Sequence, residues 1–101
     1  MVAPDNRPTR RRLTVTGIVQ GVGFRPFVYS LATDLALGGF VCNDTDGVFV
    51  EVEGSRETLD HFTSLLRSEA PPAARIATID SSDLAPSGDD SFRIVVRCVF
   101  S

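Results

Sequence analysis

The sequence predicts an α+β fold, with two helices laid on one face of an antiparallel sheet. Three observations carry that expectation. The apolar period switches from two to three-or-four and back, twice along the chain. Glycine, proline and Asn/Asp clusters punctuate the switches. The 101 residues, 43% hydrophobic and 23% charged, suit one domain with one core, burying roughly 60–70% of the surface its unfolded chain exposes.

The elements follow in chain order. Residues 1–11 are polar and read as a flexible lead-in, so the domain is expected over 12–101. The arginines at 10–12 read as solvated charges on that arm. Leu13, Val15 and Val19 alternate with Thr14 and Thr16, which is strand periodicity. Phe24, Phe27, Val28, Leu31, Ala32 and Leu35 then share one helix face, with Pro26 in the first turn and Gly38-Gly39 as a left-handed stop. Phe40 to Asn43 is a short strand, and "NDTDG" is turn chemistry. Val48, Val50 and Val52 alternate with Phe49, Glu51 and Glu53, a strand with one buried and one wet face. Ser55 caps a second helix whose inward stripe is Leu59, Phe62, Leu65 and Leu66, ended by Pro71-Pro72. Arg75 to Asp80 is a strand, "SSDLAPSGDDS" a solvated loop, and Phe92 to Val99 a final strand. The order β-α-β-β-α-β is the ferredoxin-like split βαβ plan (βαββαβ).

Several function classes are disfavoured. No apolar run approaches the about 20 residues that span a bilayer, and no apolar stretch backs the N-terminal arginines as in a secretory signal. No membrane partner is expected, and the location expected is cytoplasmic. A net charge of −3 argues against nucleic acid. "VGFRPFVY" faintly echoes an RNA-recognition signature, but its aromatics fall at a strand–helix junction, where bases cannot stack on them. Cys42 and Cys98 lack metal-ligand spacing, so no metal or other cofactor is expected; a disulfide between them is conceivable, but a cytosolic reading favours two free thiols. His61, the one histidine, falls inside the second helix and has no triad around it.

The chemistry concentrates in "VQGVGFRP", Val19 to Pro26. Glycines in a strand-to-helix turn let backbone N–H groups converge on an anion at the positive end of a helix. Arg25 adds a planar fork of donors matched to phosphate oxygens, and Val22 and Phe24 are placed to anchor the loop in the core. The pattern is neither a P-loop nor a dinucleotide fingerprint. On these residues alone, an anion cradle and a plain turn both stand.

"GIVQGVGFRPFVYSLA", Gly17 to Ala32, followed by "GGFVCNDTDGVFVEVEG", resembles the acylphosphatase family, in which a GxVQGVxFR signature precedes the first helix and a G-x-V-x-N-x-x-D-G-x-V pattern forms the next hairpin. The likeness runs from about Arg12 to Arg97. "RPFVYSLA" and "CNDTDGV" look most like the branch that stands at the N-terminus of nickel–iron-hydrogenase maturation carbamoyltransferases. The resemblance implies hydrolysis of an acyl phosphate, carbamoyl phosphate included. Arg25 would bind phosphate, Asn43 would orient the water, and the backbone of Gln20, Gly21, Val22, Gly23 and Phe24 would help hold the phosphoryl oxygens. It also implies further domains of a parent chain and hydrogenase-maturation proteins as partners. Two alternatives use the same residues: a non-catalytic carbamoyl-phosphate-binding domain and a stand-alone acylphosphatase.

Overall fold

The computed structural model describes residues 7–98. Its elements are β1 (Pro8–Ile18), α1 (Phe24–Asp34), β2 (Gly38–Asp44), β3 (Gly47–Ser55), α2 (Arg56–Ser68), β4 (Arg75–Leu84) and β5 (Phe92–Arg97). The sheet order is β4-β1-β3-β2-β5. β1 to β4 pair antiparallel, giving the split βαβ plan, and β5 adds a fifth strand parallel to β2, which makes the sheet mixed.

Strand alternation puts Leu13, Val15, Val41, Val48, Val50 and Val52 on one face of the sheet, all fully buried. The inward residues of α1 (Phe24, Val28, Ala32) and α2 (Leu59, Phe62, Leu66) complete this core. Ser55 caps α2 as expected, its hydroxyl oxygen accepting from the Thr58 N–H at 3.2 Å. The stop of α1 is built differently from the sequence expectation. Ala36 takes the left-handed conformation (φ 57°), the Leu37 N–H donates to Ala32 and the Ala36 N–H to Thr33. Gly38 and Gly39 open β2 instead, because β2 starts as soon as that cap closes.

The arginine run is where the structure departs furthest from the sequence reading. β1 begins at Pro8, four residues before the expected domain start at residue 12, and Arg10 and Arg11 are buried. Residues 1–6 of the expected lead-in, and Val99 at the expected end of the last strand, lie outside the described residues. Alternation sends the two arginines to opposite faces. Arg11 reaches the helix side, bonding Asp83 on β4 at 2.7 Å and Asp60 on α2 at 2.9 Å. Arg10 lies on the other face against Glu51 (2.6 Å), Glu53 (3.1 Å) and Asp89 (3.1 Å), beside the Phe40 ring.

That network buries the face of β3 expected to be wet. Phe49, Glu51 and Glu53 are all nearly inaccessible. The loop after β4 folds back over them, and the Ser87 and Gly88 N–H groups donate to Glu53 at 2.7 and 2.8 Å. β4 itself continues through Ser81 to Leu84, so only the second half of the expected loop is loop.

Burial alone would raise the Glu53 carboxyl pKa, but the Ser87 and Gly88 N–H groups and Arg10 outweigh it and hold the pKa below its usual value. The Arg11 bond likewise depresses Asp83. The unfolded chain therefore binds protons more readily at both groups. Their stabilisation is complete above the unfolded carboxylate range of about pH 4 and disappears as pH falls through the folded values. Urea midpoints should be flat from pH 5 to 7 and drop below about pH 4, with a smaller drop in Glu53→Gln. An equal drop in that variant would exclude Glu53 as a source.

Candidate functional site

The turn joining β1 to α1 is built as the sequence suggests. Gly21 and Gly23 have φ of 73° and 80°, the left-handed region that glycine enters without strain, and a side chain at either would point into open space. Phe24 and Val22 pack into the core beneath the turn. Gly23 is the N-cap of α1 and supplies no capping side chain, and no acidic residue occupies the first helical turn. The positive end of the helix is thus left uncompensated by local carboxylates.

Gln20 staples this turn to the β2–β3 hairpin. Its Nε2 donates to the carbonyls of Asp44 and Gly47, each at 2.7 Å. The two sequence motifs are thereby held against each other. Between them lies a cleft of about 550 Å³, lined by Gln20, Arg25, Asn43, Asp44 and Thr45, with Val96, Arg97 and Cys98 closing its far wall.

Arg25 is the second residue of α1, and its Nη1 donates to the Val96 carbonyl at 3.3 Å. Asn43 lies near the end of β2, where its main-chain carbonyl accepts from the Cys98 N–H at 3.0 Å. Its side-chain Oδ1 is buried and has no hydrogen-bond partner among the described residues. A buried amide oxygen without a partner costs about 1–3 kcal/mol, so this atom is set to accept from a water or a ligand. Asp44 is occupied locally, its Oδ1 accepting from the Thr45 N–H at 2.7 Å.

Of the residues singled out from sequence, Gln20, Arg25 and Asn43 come together on the cleft. Gly21, Val22, Gly23 and Phe24 form the adjacent turn without lining it. His61 is exposed on α2 and takes no part in the cleft. Among the described residues, no three His, Cys, Asp or Glu side chains gather in a way that could hold a metal ion.

Sequence reasoning missed the wall supplied by β5. Cys42 and Cys98 are joined in a disulfide, with their Cα atoms 5.2 Å apart, so the expectation of free thiols is corrected. The physical reason is topological. β5 pairs parallel to β2, which brings residues 56 apart in sequence side by side. No spacing rule in the sequence signals such a pairing.

Fold and cleft together define a small α+β domain with an arginine and an asparagine converging beside a glycine turn at a helix N-terminus. A family model described as Acylphosphatase matches residues 11–94, and the chain belongs to the acylphosphatase family. It is 52% identical over 89 residues to the carbamoyltransferase HypF of Rhizobium leguminosarum bv. viciae, a match covering 87% of this chain and 12% of that protein. It is 43% identical over 84 residues to the acylphosphatase of Mannheimia succiniciproducens, covering 82% of this chain and 90% of that one. Among solved structures, full-length HypF in its phosphate- and nucleotide-bound form superposes with a TM-score of 0.88 at 33% identity, over 91% of this chain and 12% of that one. The acylphosphatase of Coxiella burnetii superposes with a TM-score of 0.82 at 30% identity, over 94% and 100%. The chain therefore spans only about an eighth of the HypF proteins it matches. No helix among the described residues is long and apolar enough to cross a membrane.

Proposed function

We propose that the cleft hydrolyses carbamoyl phosphate or a related acyl phosphate. The observation that carries this reading is the unpartnered, buried Oδ1 of Asn43 in the cleft that Arg25 lines. Arg25 holds the phosphoryl oxygens with its planar fork at the positive end of α1. The N–H groups of the turn from Gln20 to Phe24, which borders the cleft, complete the hold where the phosphoryl group reaches past the lining residues. Asn43 Oδ1 accepts a hydrogen bond from a water and aims its lone pair at phosphorus. The water oxygen bonds to phosphorus as the bond from phosphorus to the acyl oxygen breaks. A carboxylate (or carbamate) leaves, and the water's proton passes to a phosphate oxygen. The substrate is already activated, so positioning and charge stabilisation supply the catalysis without a side-chain base.

The 52% identity to a HypF carbamoyltransferase favours carbamoyl phosphate as the physiological acyl phosphate. In this reading the chain is the N-terminal part of such a protein, cytoplasmic, with further domains and hydrogenase-maturation proteins as partners. Phosphate release from carbamoyl or acetyl phosphate by the 101-residue chain tests it. Wild type should turn over, and Asn43→Ala should lose about 10²-fold in kcat with inorganic phosphate binding nearly unchanged. A wild type that binds phosphate yet releases none from either substrate would mark a receiver domain for carbamoyl phosphate instead.

A further inference from the structure

Arg97 lines the cleft with Arg25 and Asn43, and nothing in the acylphosphatase signature accounts for it. β5 pairs in step with β2 as far as Cys42 with Val95, then shifts so that Asn43 pairs with Arg97. Val96 is the extra residue of this bulge. A bulge re-aims the side chain that follows it, and such irregularities concentrate beside active sites. Here the bulge has two consequences: the Val96 carbonyl accepts from Arg25, and the next side chain lines the same cleft as Arg25 and Asn43.

The backbone around Arg97 is pinned on both sides. Cys98 is tied to Cys42 by the disulfide and donates its N–H to Asn43. The side chain is not consumed structurally, since Arg97 has no ion pair or side-chain hydrogen bond among the described residues. Arg10, Arg11, Arg12, Arg56 and Arg93 all have carboxylate partners. A guanidinium held by its backbone and left free at its tip is arranged for an anionic or carbonyl oxygen brought by a ligand.

We infer that Arg97 contacts the acyl end of the substrate, binding its carbonyl oxygen and then the departing carboxylate. This rests on the hydrolytic reading above and adds to it the group that reads the leaving portion. Arg25 and Arg97 divide the substrate between them. Arg25, at the helix N-terminus, takes the phosphoryl group. Arg97, which β5 brings to the same cleft, takes the oxygens on which charge appears as the bond from phosphorus breaks. A carboxylate presents two equivalent oxygens, the geometry a guanidinium fork accepts in bidentate fashion.

The test is chosen to work with or without turnover. Acetonylphosphonate carries a CH₂ where acetyl phosphate has its bridging oxygen and cannot be hydrolysed, and propylphosphonate is the same chain without the carbonyl. By calorimetry, wild type should bind acetonylphosphonate about tenfold more tightly than propylphosphonate. Arg97→Ala should abolish that ratio while leaving inorganic phosphate affinity within about twofold, Arg97→Lys should keep much of it, and Arg25→Ala should weaken all three ligands. With substituted benzoyl phosphates, the kcat/KM loss in Arg97→Ala should grow as the leaving acid becomes weaker. An unchanged ratio in Arg97→Ala, or an equal loss of phosphate affinity, overturns the assignment. An Arg97-dependent ratio without turnover would leave the carbonyl contact standing and overturn hydrolysis, and with it the contact to a departing carboxylate. A wild type that binds none of the three ligands overturns both.

Discussion

Arg25→Ala should lower kcat/KM for an acyl phosphate by about 10² to 10³-fold while the domain stays folded. The size of the effect comes from the setting. The guanidinium stands at an uncompensated helix N-terminus beside a glycine turn, and in the proposed reading its removal leaves the phosphoryl charge with backbone dipoles alone. The cost to stability is small, because the one bond lost is a 3.3 Å contact to the Val96 carbonyl at the surface. Steady-state kinetics alongside a thermal melt separates the two effects. Arg25→Lys should recover only part of the rate, since an ammonium keeps the charge and loses the fork. An Arg25→Ala enzyme within threefold of wild type would remove Arg25 from the machinery.

Arg10→Ala is expected to be the most damaging change to stability, about 3–5 kcal/mol. Removing it takes the shared cation from Glu51 and Glu53, both buried, and from Asp89. Glu53 is left with the Ser87 and Gly88 N–H groups, Glu51 with the more exposed Arg12, and Asp89 with Arg93 at 3.8 Å. The stacking of the Arg10 guanidinium against the Phe40 ring is lost too. Domains of this size hold together by about 5–15 kcal/mol, so such a loss removes from about a fifth of the stability to all of it. Urea denaturation measures it. Adding Glu51→Gln and Glu53→Gln to Arg10→Ala should recover part of the loss, because the uncompensated charges are then gone. A loss below 1 kcal/mol would mean that solvent reaches the cluster and screens it.

These two arginines also mark what the sequence did and did not disclose. Arg25 was legible because its neighbours are locally coded: glycines that permit positive φ, a proline suited to a first helical turn, and a helix stripe beginning at Phe24. Asn43 was legible through its motif and its place at a strand end. Arg10 was not, because a charged residue near the chain start looks the same whether it meets water or buried carboxylates. Its fate was decided by the pairing of β1 with β3 and by the loop carrying Ser87, Gly88 and Asp89. Glu51 and Glu53 were misread for the same reason. Ala36 shows the limit at the local level, since residue type points to the glycines at 38 and 39 for the left-handed cap, whereas an alanine two residues before Gly38 closes the helix. Arg97 and the Cys42–Cys98 bond depended on a parallel strand pairing that no local pattern announces.

The placement of β5 has a consequence in time. Gln20, Arg25 and Asn43 are all synthesised within the first half of these 101 residues, whereas Val96 and Arg97 come from β5, the last strand, and Cys98 directly follows it. A nascent chain can fold its core strands and both helices and still lack one wall of the cleft. At roughly 5–20 residues per second, several seconds separate the making of Asn43 from the making of that wall. In the proposed reading, the mixed carboxylic–phosphoric anhydride thus meets its complete cleft only after that last segment has joined the fold.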